Sequence, residues 1–231
     1  MNIYIRISEN QKSISGEDRW NSYDKRMILK KCWLSLMANL TIEDSVQVFH
    51  HNVSDKTLKW LEDKCETLIT FTKINSIEDS FRVPLETLKN DLINTADPDK
   101  LFALLEDDYL WNIKSMSAIK EASNYWKGFI TPSDTPLNYT HQRFSKVFVG
   151  TDRHWRTTSY ISWNIIGNTK IFLKYVDEIK EAGIEMNKQK LNNILQHTDC
   201  INPLPAVATH CKEKDMSPLV DWGFVWRGIN I

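Results

Sequence analysis

Lys100 to Trp111 reads KLFALLEDDYLW, an apolar run that ends abruptly in Glu106, Asp107 and Asp108. Desolvating an unpaired anion costs several kcal/mol in a protein interior, so three adjacent carboxylates at the end of a buried strand require a cation. The apolar part has the length of an interior strand, and in α/β sheets ligands collect at the carboxyl ends of strands, where this cluster falls. A hard divalent metal, Mn2+ or Mg2+, carrying phosphate oxygens meets that requirement. Because alternate residues of a strand point to opposite sides, Asp107 and Asp108 are expected to do different jobs.

Other reactive side chains are less organised. Cys32, Cys65, Cys200 and Cys211 have no CxxC spacing and are expected to be reduced. His197, Cys200, His210 and Cys211 could be assembled into a zinc site, but their spacing fits no common finger or ribbon. Nine tryptophans are many for this length, and Trp111, Trp155, Trp163 and Trp222 lie in polar segments. They could stack on sugars or bases, or equally fill a core or lid.

The elements that must position these groups are legible in outline. Ile3, Ile5 and Ile7 alternate as a first strand over Asn2 to Ser8. Ile28, Leu29, Trp33, Leu36, Met37 and Leu40 recur at helical spacing between Asp24 and Leu40. A strand from Ser45 to Phe49 ends at His50 and His51, Ser54 can cap a helix bearing Leu58 and Leu61, and Thr67 to Ile74 is the next strand. Ser80 to Ile93 reads as a helix with Pro84 in its first turn, followed by the strand that ends in the carboxylates. Strands alternating with helices predict a mostly parallel α/β sheet with right-handed crossovers. After Ser123 the character changes: Lys127 to Thr131, Arg143 to Val149 and Thr158 to Trp163 read as strands, with a Pro-rich turn from Thr131 to Asn138. Helices near Thr169 to Ala182 and Asn187 to Gln196 precede a short strand, Ala206 to Thr209.

With 231 residues the chain can form one sizeable core, and its formal charge of −1 gives no general attraction for nucleic acid or anionic membranes. Met1 to Ser8 does not resemble a signal peptide, and no apolar run approaches the roughly 20 residues of a membrane helix. A soluble, cytoplasmic protein is expected. The loop from Ser8 to Gly16 has no GxGxxG, and no GxxxxGK[ST] occurs, so phosphates must be held by another device.

Three blocks in order carry a family resemblance: the acidic cluster with its following aromatic, then His154-Trp155-Arg156-Thr157-Thr158-Ser159, then Ala208-Thr209-His210 with Ser217-Pro218-Leu219-Val220-Asp221-Trp222. Together they resemble small glycosyltransferases of the GT-A fold, in particular the short bacterial and viral family-2-like enzymes, over about Ile3 to Trp222. The resemblance implies a single GT-A-like domain over 1–231, with a nucleotide-sugar half at about 1–112, an acceptor half at about 113–222 and a tail at 223–231. It implies a nucleoside-diphosphate sugar donor, a glycan or other hydroxyl acceptor, and a metal that neutralises the departing diphosphate.

By the same resemblance Asp108 and His210 hold the metal, while Arg6, Ser8, Ser80, Arg82, Glu106 and Asp107 border the nucleotide sugar. His154, Trp155, Arg156, Asp221 and Trp222 lie toward the sugar and acceptor. Where related enzymes commonly carry an aspartate for the uracil edge, this chain has His50-His51-Asn52, a departure that leaves the base open. An inverting transfer needs a carboxylate to take the acceptor proton, and Glu185, with Asp152 as runner-up, is the candidate. A catalytically inactive binding module and a nucleotidyltransferase are the competing readings. Glycine-poor loops argue against the latter.

Overall fold

The computed structural model describes residues 1–9, 20, 23–76, 78–140, 144–158, 163–198 and 200–231. The first half alternates β1 (Asn2–Ser8), α1 (Lys25–Met37), β2 (Ser45–His51), α2 (Asp55–Asp63), β3 (Leu68–Lys73), α3 (Asp79–Ile93) and β4 (Leu101–Glu106). The second half adds β5 (Tyr109–Trp111), α4 (Ser115–Tyr125), the short α5 (Leu137–Thr140), β6 (Val147–Val149), β7 (His154–Thr157) and β8 (Ile165–Asn168). It continues with α6 (Thr169–Ile184), α7 (Lys188–His197), β9 (Ile201–Leu204), β10 (Ala208–His210) and α8 (Trp222–Gly228).

The central sheet has the order β3-β2-β1-β4-β8. Its first four strands are parallel, and β8 closes it antiparallel to β4. Alternation sends the two sides of each central strand into different cores. Ile3, Ile5, Ile7, Ala103 and Leu105 pack with Leu29, Trp33 and Leu36 of α1. Tyr4, Phe49, Phe102 and Leu104 pack with Leu85, Leu88 and Leu92 of α3 and with Phe172, Val176 and Ile179 of α6. Helices on both faces leave the carboxyl ends of β1 and β4 as the edge where polar groups can gather.

Helix starts follow from local chemistry. The Asp24 carboxylate accepts from the amides of Arg26 and Met27 at 2.8 and 3.1 Å, fixing where α1 begins and placing Lys25 in its first turn. Such a cap contributes about 1 kcal/mol. Asn168 caps α6 and Asn187 caps α7 in the same way.

Several expected elements differ from those observed. Pro84 sits in the second turn of α3, not the first. Lys127 to Thr131 contributes only two isolated bridges, both at Ile130, and the strand expected from Arg143 shrinks to β6. The strand expected at Thr158 to Trp163 lies largely outside the described residues, as do Ser159 and most of the Ser8 to Gly16 loop. Strands β5, β7, β8 and β9 and helices α4 and α8 are additional. The end of the chain is no exposed Trp-rich tail: Trp222 and Trp226 are buried with Ile28, Cys32, Leu110, Ala206 and Cys211 in a third cluster behind α1. No described helix is long and apolar enough to cross a membrane.

Gly183 shows how tightly α6 lies on α3. A Cβ there would stand 2.6 Å from Phe81 Cδ1 and 3.0 Å from its Cγ. Gly183→Ala should gain about 1 kcal/mol of helix propensity but lose about 1–3 kcal/mol to overpacking. The expected net result is a lower thermal midpoint, measurable by calorimetry; a stabilised variant would refute the close packing.

Candidate active site

Backbone register assembles the site. β1 and β4 run parallel with Arg6 beside Glu106, and the Arg6 Nη2 to Glu106 Oε1 distance is 2.9 Å. The Arg6 guanidinium also lies over the Phe81 ring, 3.6 Å from its centroid. Its Nε is buried and has no hydrogen-bond partner among the described residues. Past Glu106 the chain turns through Asp107 and Asp108 into β5, which pairs with β10 so that Tyr109 faces His210. Their rings stack at 4.9 Å with planes 6° apart.

Each of the three carboxylates meets a different cation. Glu106 has Arg6. Asp107 is 2.5 Å from Lys25 Nζ and accepts the Ser8 backbone N–H at 2.9 Å. Asp108 is 3.2 Å from His210 Nε2 and 3.9 Å from Lys25 Nζ. His210 Nδ1 lies 3.1 Å from Asp215, a carboxylate that orients the ring as acid partners do at many metal-binding histidines. Asp107 and Asp108 have different nearest partners, and both sit in the turn after β4, so the strand alternation expected to separate them does not apply.

Burial pushes all three carboxyls up. For Glu106 and Asp107 it prevails over the opposing pull of Arg6 and Lys25. For Asp108 it is overcome by His210 and Lys25, which hold that carboxyl far below the usual carboxylate range. Lys25 is itself raised, burial being outweighed by Asp107 and Asp108, and its Nζ lies 2.5 Å from the Asp107 carboxylate. His210, which burial alone would lower, is lifted to about 10 by Asp108 and Asp215.

The sign of the pH dependence follows. A raised histidine stabilises fully below its unfolded value near 6.5, and that contribution is lost as pH rises through about 10. Asp108 reports the same pair from the acid side and is not counted twice. In chelator, the thermal midpoint should therefore fall by several degrees between neutral pH and pH 10. His210→Asn should flatten that slope, and an unchanged slope would show that the pair does not carry it.

Other expected site residues are placed as follows. Arg82 is exposed and paired with Asp79 and Glu86, while Ser80 lies beside it in the first turn of α3. Glu185 is exposed at the C-terminus of α6 and pairs with Lys190 at 3.4 Å. Asp152 is exposed on the turn between β6 and β7. His154 is exposed on β7, and Trp155, its neighbour, is buried in the main core. Arg156 binds the buried Asp134 and covers the Tyr139 ring at 4.5 Å. Asp221 caps α8, and the buried Trp222 donates its Nε1–H to Ser217 O at 2.7 Å. The contacts described for Arg82, Glu185, Arg156, Asp221 and Trp222 are made with residues other than Glu106, Asp107 and Asp108.

Two residues of the site had no signal in the sequence. Lys25 reads as an ordinary solvated lysine at a helix start, and Asp215 as one acid in a charged loop. The zinc grouping is not assembled: Cys200 and Cys211 belong to separate cores, and all four cysteines are free.

Among the described residues no three His, Cys, Asp or Glu side chains converge as a complete metal site. Asp108 and His210 nevertheless offer an oxygen and a nitrogen 3.2 Å apart, with the far ring nitrogen held by Asp215. That donor set would suit a divalent ion able to displace the proton the raised His210 carries on Nε2, with phosphate oxygens and water as further ligands.

No protein-family model matches the sequence, and no curated protein resembles it in sequence. Solved structures do resemble the fold. One described as a glucose-1-phosphate thymidylyltransferase from Bacillus anthracis superposes with a TM-score of 0.50 at 10% identity, covering 100% of this chain and 96% of that one. The galactosyltransferase LgtC, with donor and acceptor sugar analogs, gives 0.47 at 11% identity over 87% and 73% of the two chains. Mouse xyloside xylosyltransferase 1 gives 0.41 at 8% identity over 93% and 79%. At these identities the likeness is one of architecture alone: a mixed α/β fold with a mostly parallel central sheet, shared with the thymidylyltransferase structure.

Proposed function

We propose that this chain is a metal-dependent glycosyltransferase that moves a sugar from a nucleoside-diphosphate donor to a glycan or other hydroxyl acceptor. The observation that carries the reading is the Asp215–His210–Asp108 chain at the carboxyl edge of the sheet, beside the unpartnered Nε of Arg6. In this reading Asp108 and His210 hold Mn2+ or Mg2+, which supplies charge neutralisation for the diphosphate as the anomeric bond breaks. Asp215 keeps Nδ1 occupied so that Nε2 faces the ligand. Arg6, backed by Phe81, offers a fixed donor to phosphate or ribose, and Lys25 offsets the charge of Asp107 and lies 3.9 Å from Asp108. The proposed outcome is inverting, with Glu185 as base and Asp152 as the alternative.

The buried Lys25 beside an acidic turn also suits nucleotidyl transfer, in which a triphosphate meets a fixed cation. One experiment separates the readings. Thermal unfolding is followed with nucleoside diphosphates and nucleotide sugars, each with Mn2+, Mg2+ or chelator. A ligand at a hundredfold excess over its Kd adds about 2.7 kcal/mol, roughly 5–10 °C for this size. A metal-dependent shift followed by nucleoside-diphosphate release only when acceptor is added supports the glycosyltransferase. Pyrophosphate release from a triphosphate and a sugar phosphate would replace it with the nucleotidyltransferase, and binding without turnover with an inactive module.

A further inference from the structure

Cys32 and Cys211 are 179 positions apart in sequence, yet their Sγ atoms lie 3.6 Å from one another in the cluster behind α1. Both are buried, at 3% and 1% exposure, among Ile28, Leu110, Trp222 and Trp226.

The location gives the contact a consequence. Cys32 stands two turns along α1 from Lys25, the cation that holds Asp107. Cys211 directly follows His210, the partner of Asp108, and its backbone N–H donates to Asp108 O at 2.8 Å. The carbonyl of Cys211 accepts from the Trp20 amide at 3.2 Å. One sulfur pair therefore joins the two elements that deliver Lys25 and His210 to the acidic turn.

We propose that Cys32 and Cys211 form a redox-sensitive pair that couples oxidation by a small hydroperoxide to the geometry of the acidic site. One thiol sulfur attacks the peroxide, breaking the O–O bond to give a sulfenic acid and, for hydrogen peroxide, one water. The second thiol sulfur attacks that sulfenic sulfur, the S–S bond forms, and a second water leaves with the remaining proton. Two thiols and one peroxide thus yield a disulfide and two waters, with two electrons passing from sulfur to oxygen. Hydrogen peroxide is small and uncharged, so burial slows its entry without forbidding it. An S–S bond is about 2.05 Å long, so the sulfurs must close by roughly 1.5 Å. That movement draws the start of the 211–217 segment toward α1 and loosens the Cys211 to Asp108 hydrogen bond.

The test needs no ligand and does not depend on the proposed transferase activity. The full chain is treated with hydrogen peroxide under native conditions, digested without reduction and mapped by mass spectrometry, and amide exchange is followed over 106–111 and 208–217. A Cys32–Cys211 linked peptide is expected, with about tenfold faster exchange in those segments, reversed by a thiol reductant. Cys65→Ser should leave both effects intact, and Cys32→Ser should remove both. If Cys32→Ser fails to fold, the linkage map of the native chain decides alone. A folded chain with no such link, a link through Cys65 or Cys200, or a link that leaves exchange unchanged would overturn the proposal.

Discussion

Asp108→Asn should abolish turnover, lowering the transfer rate by at least roughly 100- to 1000-fold, while the protein remains folded. The amide keeps the volume of the carboxyl and an oxygen toward His210, so the turn into β5 has no steric reason to move. What disappears is the carboxylate that His210 and Lys25 pull below the ordinary range, whereas burial raises the other two. The Mn2+-dependent thermal shift should vanish together with donor cleavage. Normal nucleoside-diphosphate release by this variant would remove Asp108 from the metal site and the metal from the reading. A variant that loses the shift but not the activity would separate metal binding from chemistry.

The largest effect on stability is expected at Lys25. Lys25→Met leaves Asp107, at 8% exposure, as a buried anion whose ammonium partner has gone. Removing one member of a buried pair costs about 3–5 kcal/mol, which for a chain of this size lowers the thermal midpoint by roughly 10 °C. Lys25→Met combined with Asp107→Asn should recover most of that loss, because the stranded charge is removed while the Ser8 N–H keeps an oxygen acceptor. If the double variant is no more stable than the single one, the stranded Asp107 charge is not the source of the loss. Gene-for-gene comparison of the two midpoints by calorimetry is sufficient.

These two residues also show how far the sequence could be read. The carboxylates announced themselves because three consecutive acids interrupt a hydrophobic strand, and the physics of desolvation requires an explanation for them. Their partners did not. Arg6, Lys25 and His210 approach from β1, α1 and β10, and what unites them is strand register and one helix cap, neither of which is a local property. The chain itself supplies a cation for each acid: Arg6 for Glu106, Lys25 for Asp107 and His210 for Asp108.

The first half was legible for a related reason. Ile3, Ile5 and Ile7, or Asp24 before the apolar period of α1, carry their structural instruction within a few residues. Strands β7, β8 and β9 are four residues each and are extended because a neighbour pairs with them. His154 to Thr157 has little strand pattern, and Gly167 in β8 is set by proximity: a Cβ there would meet Ile171 at 2.7 Å and Phe129 at 2.9 Å. Helix α8 reads as a tail because WGFVWRG has glycine at its second and last positions, yet the two tryptophans pack into the apolar cluster behind α1.

The position of β8 bears on how this molecule could be re-engineered. A strand from the later part of the chain completes the sheet that begins at Asn2, and β10 from near the end pairs with the segment directly after the acids. The regions expected to serve donor and acceptor are thus interleaved like the fingers of clasped hands. A chimera that exchanges residues 1–112 as a cassette would leave the edge of β4 bare and His210 facing a foreign turn. Transplanting donor preference would require 165–168 and 208–215 to travel with it.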